Sequence, residues 1–349
     1  MKFNIKPHEG YKILTYDIEP NLRLVAAYDD EFAQLPANGG LRMREYKSVE
    51  AQEAEALILA QQMSKKHKLY NTGFTGVKLV AHGKVTPENK IKILNAAAEV
   101  LNYFKGKIYT GCDMNISNQD MEYLTTMSKY VLSGLGSQIN TSFATAYGVY
   151  AALMAVIHFQ HLENKKHKIL VHGIGKLGSV LVNKLLADGH EVYTYDARFE
   201  SANVNGAINI SQNNNWYETP CDYLVLCSFS GVITEEIARK LNCSWVVSGA
   251  NAPFATSKVP DILFDKKISW LPDVVSNSGA VVCDVLEFLD RERYIKIDPQ
   301  IVYDFVYQVT FKKTETLLGL AKKYNLSPYD VLHIFFSIEW NDNILNIEE

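Results

Sequence analysis

KILVHGIGKLGSVLVNKLLADGHEVYTYD, residues 168–196, is the stretch that decides the fold. A β-type run leads into Gly173, Gly175 and Gly178. This GxGxxG spacing opens an apolar helix at Lys176 and Leu177, and Asp196 closes the next β run, 18 residues past the last glycine. Each position has a mechanical reason in a dinucleotide-binding unit. Gly173 permits a tight turn, Gly175 lets backbone amides approach a pyrophosphate, and Gly178 lets the helix pack on the strand. The helix N-terminus then stabilises the phosphate charge. Asp196 is placed to accept from the adenosine ribose hydroxyls and to repel a 2′-phosphate, which favours NAD over NADP. Arg198 lies close enough to weaken that preference somewhat.

Outward from this stretch, β runs and helices alternate. A helix over 143–159 precedes it. Helix 176–188, the runs EVYTYD and CDYLVLC, helix 232–241, and the runs SWVVSGAN and ISWLPD lie within it or follow it. That alternation implies a parallel sheet with right-handed crossovers, a doubly wound α/β domain. Before it lie paired strands at 11–16 and 22–29, a helix over 48–66, a strand over 77–83, a helix over 86–104 and another over 117–134. The change of pattern places one domain at 1–141, a Rossmann domain at 142–320, and C-terminal helices at 321–349 that are expected to return to the first domain.

Whole-chain properties exclude several classes. With 349 residues, 47% of them apolar, the chain can bury two cores, and a net charge of −4 presents no field for a polyanion. The KKHK tetrads at 65–68 and 165–168 therefore do not read as nucleic-acid or membrane patches. The first ten residues hold no apolar signal core, and no uncharged apolar run is expected to span a membrane. Five scattered cysteines without a CxxC suggest a reduced, cytoplasmic protein, and no His/Cys spacing suggests a metal.

In the first domain, Lys66 and Lys78 stand 12 apart, and Asp113 follows 35 residues later in YTGCDMN. A nicotinamide enzyme acting on an amino acid needs a cation for the carboxylate, a base for water or amine, and a carboxylate to move protons. Each residue also has a plain reading: a solvated helix end, a strand-edge lysine, a turn cap. The residues alone leave both readings open.

The chain resembles the glutamate/leucine/phenylalanine/valine dehydrogenases, most of all the leucine-type branch, from about residue 20 to 320. The motifs carrying this are NGGLRMREYKS (38–48), GFTGVKLV (73–80), TGCDMN (110–115), SFATAYGVY (142–150), SGAN (248–251) and DVVSNSGAVV (273–282). The resemblance implies two α/β domains, an N-terminal substrate and catalytic domain and a Rossmann domain, with the active site in a cleft between them. It implies that Lys66 binds the substrate carboxylate, Lys78 activates water, and Asp113 exchanges protons with the amine. Thr145, Ala250, Asn251 and Asn277 would lie near nicotinamide and its ribose, with Asn277 also orienting substrate. Gly39, Gly40 and Val281 would line the substrate site. The partners implied are NAD and a small amino acid or amine, in a homo-oligomer.

This chain departs from the family pattern at several points. Thr75 and Val77 replace glycines before the catalytic lysine, Thr141-Ser142-Phe143 replaces Pro-Ser-Pro, and Asn277-Ser278-Gly279-Ala280 replaces Asn-Ala-Gly-Gly. Asn38 and Asp284 stand where leucine-type enzymes present aliphatic groups, and Gly111 where they carry alanine. These three suggest a roomier, more polar side-chain pocket. Asp284 either meets a polar or cationic substrate group, pairs internally, or points to solvent. The leading function is NAD-dependent oxidative deamination of an L-amino acid. The alternatives are a specialised amine or imine substrate, or a catalytically weak NAD-binding regulator.

Overall fold

Two six-stranded sheets carry the chain. The computed structural model describes residues 3–30 and 34–337, which divide into two units. The first takes in the described residues up to Ser137 together with Asp284–Lys296, and the second Gln138–Cys283 and those from Ile297 onward.

The first unit contains β1 (Asn4–His8), β2 (Tyr11–Glu19), β3 (Leu22–Asp29), β4 (Ala37–Arg44), α1 (Val49–Leu69), β5 (Thr75–His82), α2 (Pro87–Phe104), β6 (Ile108–Cys112) and α3 (Asn118–Thr125). Its sheet runs β1-β2-β3-β5-β4-β6. The first four of these strands pair antiparallel, while β4 lies parallel to both β5 and β6. One face buries Leu24, Leu41, Met43 and Leu79 with Ile93 and Leu101 of α2. Val25, Ala27 and Val80 cluster instead with Ala56 and Ala60 of α1. Thr86 caps α2 and Ser117 forms a capping box on α3, as their spacing predicts.

Helix α3 ends at Thr125, not at 134 as its pattern suggests. The chain beyond it joins the sheet: Thr110 donates to the Tyr130 carbonyl at 3.2 Å, and Leu132 donates to the Thr110 carbonyl at 2.8 Å. Val131 and Leu132 are thereby buried, which outweighs another turn of exposed helix. The same contact corrects the reading of Gly111. A Cβ there would overlap the Leu132 carbonyl oxygen, so this glycine allows close backbone approach and does not enlarge a pocket.

The second unit begins with α4 (Thr141–Phe159) and continues through β7 (Lys168–His172), α5 (Lys176–Ala187), β8 (Glu191–Tyr195), β9 (Ile208–Asn209), β10 (Tyr223–Leu226), α6 (Glu235–Lys240), β11 (Trp245–Ser248), α7 (Val259–Asp265), β12 (Ser269–Trp270) and α8 (Asp273–Ser276). Its sheet is wholly parallel, in the order β12-β11-β10-β7-β8-β9, so the winding reverses beside β7. That is the doubly wound Rossmann order, with its ligand position at the carboxyl end of β7.

Next come α9 (Gly279–Leu289), α10 (Arg291–Lys296), α11 (Pro299–Tyr324) and α12 (Pro328–Ser337). The expected domain limits shift accordingly. The division falls after Ser137, and residues 284–296 belong to the first unit. Helix α11 runs unbroken through 321, packs on α4, and keeps α12 in the second unit. Residues 338–349 of the expected C-terminal segment lie outside the described residues. One expectation about membranes also changes. By length and a mean hydropathy of 1.4, α4 could cross a membrane, but 61% of that window is buried within the protein. A helix apolar on all sides is what a helix between α11 and the sheet requires.

Gly111→Ala is expected to lower stability by about 1–3 kcal/mol, the scale of overpacking a closed site. Denaturant titration checks this, and unchanged stability would mean that the β6 backbone has room to spare.

Candidate active site

The glycine turn after β7 has the geometry that its sequence demands. Gly173 sits at φ +97°, and a Cβ on it would press on Ser228 at 2.7 Å. At Gly178 a Cβ would overlap the Gly173 carbonyl, so α5 can pack here only without one. A Cβ at Gly175 would meet nothing within 4 Å, which leaves open space at the N-terminus of α5, beside exposed Lys176 and half-buried Leu177. Space, unpaired helix amides and an acidic residue together fit a dinucleotide pyrophosphate and ribose.

Asp196 lies just past β8 and closes this site. Its Oδ2 accepts from the Ile174 amide at 2.8 Å and its Oδ1 from the Arg198 amide at 2.9 Å. Burial alone would raise its carboxyl, but these two donors outweigh it and hold the group below its ordinary value. The Arg198 side chain is 74% exposed, with Nε 3.6 Å from Oδ1, too solvated to cancel the carboxylate.

In the second unit, Thr145, Ala250, Asn277 and Val281 are buried and Asn251 is half-buried. Asn277 Nδ2 donates to Asn251 Oδ1 at 3.1 Å, and the buried Asn277 Oδ1 has no hydrogen-bond donor. A buried acceptor without a partner costs about 1–3 kcal/mol, so it is a ready contact for a bound amide. Thr145 Oγ1 instead donates to the Thr141 carbonyl at 2.9 Å.

In the first unit, strand order assembles a charged cluster. β4 lies between β5 and β6, so Arg42 on β4 is flanked by Lys78 on β5 and by Asp113 just beyond β6. Lys78 Nζ lies 2.6 Å from Asp113 Oδ2. Arg42 donates from Nε to the same oxygen at 2.8 Å and from Nη2 to Oδ1 at 3.3 Å, while its Nη1 donates to Glu55 of α1 at 2.6 Å. Burial works against the Asp113 charge, but Lys78 and Arg42 overcome it and hold the carboxyl far below the usual range. A Cβ on Gly40 would stand 3.2 Å from Lys78 Nζ and 3.0 Å from Asp113 Cβ, so its absence keeps one side of the pair clear. On Gly39, a Cβ would overlap the Val77 carbonyl.

The KKHK stretch resolves by helical position. Lys65 and Lys68 are exposed, whereas Lys66 and His67 are buried on α1. Sequence reasoning missed His67. Its Nδ1 pairs with Thr72 Oγ1 at 2.8 Å and its Nε2 with the Asn38 carbonyl at 3.2 Å, and burial pushes the imidazole down to about 3. It is therefore neutral, accepting from Thr72 and donating to Asn38. Fully buried Asn38 in turn donates from Nδ2 to Asp284 Oδ2 at 2.9 Å, and its own Oδ1 has no donor. Asp284 pairs internally and does not point freely to solvent. Burial raises its carboxyl to about 7, with Glu287 adding to the rise and Asn38 and Lys78 opposing it.

A family model described as Glutamate/Leucine/Phenylalanine/Valine dehydrogenase matches residues 194–334, a span that lies beyond Lys66, Lys78 and Asp113. A leucine dehydrogenase of Geobacillus stearothermophilus is 28% identical, covering 90% of this chain and 85% of its own length. A phenylalanine dehydrogenase of Bacillus thermotolerans is 26% identical over 86% of this chain and 81% of its own. Among solved structures, an L-tryptophan dehydrogenase from Nostoc punctiforme superposes with a TM-score of 0.75 at 21% identity, covering 92% of this chain and 93% of that one.

The raised Asp284 carboxyl makes a stability prediction with a definite sign. Between the unfolded value of about 4 and the folded value of about 7, the native state keeps a proton that the unfolded state has lost. Stability from this group is therefore full below pH ~4 and falls as pH rises to ~7. Asp284→Asn keeps the acceptor for Asn38 and removes the titration, so its stability relative to wild type should climb across that window. Denaturant midpoints at several pH values test it, and a constant difference would place Asp284 in water.

Proposed function

We propose that the chain is an NAD-dependent L-amino-acid dehydrogenase, on the premise that it belongs to the glutamate/leucine/phenylalanine/valine dehydrogenase family of oxidoreductases acting on CH–NH2 groups. The overall reaction converts L-amino acid, NAD⁺ and water to 2-oxo acid, ammonia, NADH and a proton. The observation that carries this reading is the contact between Lys78 and Asp113, two groups 2.6 Å apart that can share one proton in a half-buried site.

Gly173, Gly175, Gly178 and Asp196 would hold the dinucleotide, with Asn277 Oδ1 an acceptor for its carboxamide. NAD⁺, when bound, accepts the hydride from the substrate Cα. Lys66 holds the substrate carboxylate. Asp113, ionised in the free protein, takes a proton from the incoming α-ammonium group, which frees the nitrogen lone pair. Lys78 directs water onto the resulting imine carbon, and the proton returns through the same pair as ammonia leaves. Fixed charges around the tetrahedral carbon supply the acceleration because they need not reorganise. A cytoplasmic setting and a homo-oligomer are part of the same reading.

Leucine and phenylalanine, named for the relatives, are apolar substrates, but this chain has a different lining. Asn38 Oδ1 is a buried acceptor without a donor, and it lies beside the Asp284 carboxyl that receives Asn38 Nδ2. The favoured substrate side chain therefore ends in a donor such as an amine, amide or hydroxyl. A short aliphatic side chain would desolvate the acceptors without replacing their water.

Lys78→Ala and Asp113→Asn should each reduce kcat at least ~100-fold while NADH affinity holds, the scale of a lost acid–base group. NADH absorbance across a panel of L-amino acids measures this, and near-normal turnover in either variant contradicts the assigned roles. The same panel should show Asp284→Val shifting preference toward leucine-like side chains by about 1–3 kcal/mol. Titration of both cofactors should favour NAD(H), since Asp196 would face a 2′-phosphate. Equal affinity for NADP(H) would remove that part of the reading.

A further inference from the structure

Asp113 has two oxygens, and they are not equivalent. Oδ2 receives both Lys78 Nζ at 2.6 Å and Arg42 Nε at 2.8 Å, which fills it. Among the described residues, Oδ1 receives only Arg42 Nη2 at 3.3 Å, a long bond that leaves a lone pair for another donor. Arg42 is itself fixed from behind. Its Nη1 donates to Glu55 of α1 at 2.6 Å, and its side chain is 13% exposed. A planar guanidinium clamped between two carboxylates cannot swing aside, and it cannot give up its proton near neutral pH.

We propose that Arg42 is the positioning residue of this site, holding Asp113 ionised and presenting its Oδ1 as the proton acceptor for the substrate amine. The proposal rests on the reading of Lys78 and Asp113 as the working pair. Arg42 donates to both carboxylate oxygens, and this disfavours the form with a proton on Asp113. Asp113 then starts each turnover as a base. The charged and titratable groups around the clamp are Lys78 on β5, Cys112 on β6, Glu55 on α1, Arg44 at the end of β4, Tyr46 just after it, and Asp284 of α9 toward Lys78. Only Lys78 and Arg42 touch the Asp113 carboxylate with positive charge among the described residues. A lysine at 42 would keep a charge but could not reach both oxygens at once.

Carbon-13 NMR of the aspartate carboxyls in the free protein, with Asp113 assigned from Asp113→Asn, reads the clamp without any turnover. Wild-type Asp113 should stay ionised below the pH at which exposed aspartates titrate. In Arg42→Gln its midpoint should rise by about one pH unit or more, the effect of losing an adjacent cation. Arg42→Lys should fall between the two. Glu55→Gln removes a charge but keeps an acceptor for Arg42 Nη1, so Arg42 stays in place and the midpoint should not rise. The acid limb of kcat/KM should move up with the NMR midpoint in Arg42→Gln. An unmoved Asp113 midpoint in Arg42→Gln overturns the proposal, as does an equal rise in Glu55→Gln, which would mark a merely structural tie. If Asp113→Asn turns over normally while the midpoint still shifts, the clamp stands and the catalytic reading fails.

Discussion

One carboxylate held against two cations is the constraint on which the first unit depends. Asp113 is largely withdrawn from water, and an unpaired charge there would cost several kcal/mol. Lys78 and Arg42 remove that cost only if their strands bring them to the same oxygen. The mixed sheet does this by inserting β4 between β5 and β6, parallel to both. A purely antiparallel meander of the same strands would part these residues. The glycines follow from the same demand. Gly40 stays clear of the pair, Gly76 admits α1 over β5, and Gly111 lets the chain after α3 seal the edge of β6. A Cβ at Gly76 would overlap the Ala60 carbonyl and Ser64 in α1, the helix that supplies Glu55 and buries Lys66.

The second unit answers a different requirement. A wholly parallel sheet must be covered on both faces, and α4 meets this with an apolar helix that α11 encloses. The glycine turn at the end of β7, proposed to hold the phosphates, is built from backbone, and Asp196 beside it is held chiefly by two amide donors. Fixed charge governs the cluster of Lys78, Arg42 and Asp113, and backbone geometry governs the glycine turn.

This difference explains what the sequence could disclose. The dinucleotide turn is read from contiguous residues because its three glycines and its acid serve one local βαβ path. The acid–base cluster is assembled across strands, and Lys78 and Asp113 gained roles only through resemblance. Arg42 escaped notice inside NGGLRMR, although strand alternation offered a signal: Asn38, Gly40 and Arg42 share one side of β4, the side opposite Leu41 and Met43 in the core. His67 was hidden in a basic tetrad whose two middle residues are buried and whose two outer ones are exposed. Asp284 meets Asn38 across 246 residues of chain, a pairing that no spacing rule reaches. The helix over-read through 134 failed because the backbone after Thr125 finds better partners on β6. Gly111 misled because a missing side chain looks like space until the neighbouring carbonyl is known.

The proposed reaction breaks a C–N bond by hydrolysis at the carbon that has already given up hydride. The most direct measurement is the stoichiometry of NADH and ammonia formed from one L-amino acid by the purified protein with NAD⁺. Oxidative deamination predicts one ammonia for each NADH at every time point, with the matching 2-oxo acid in equal amount. NADH without ammonia would show oxidation of a different bond. Neither product from any amino acid, despite tight NAD⁺ binding, would make the chain a binding protein on an enzyme's fold.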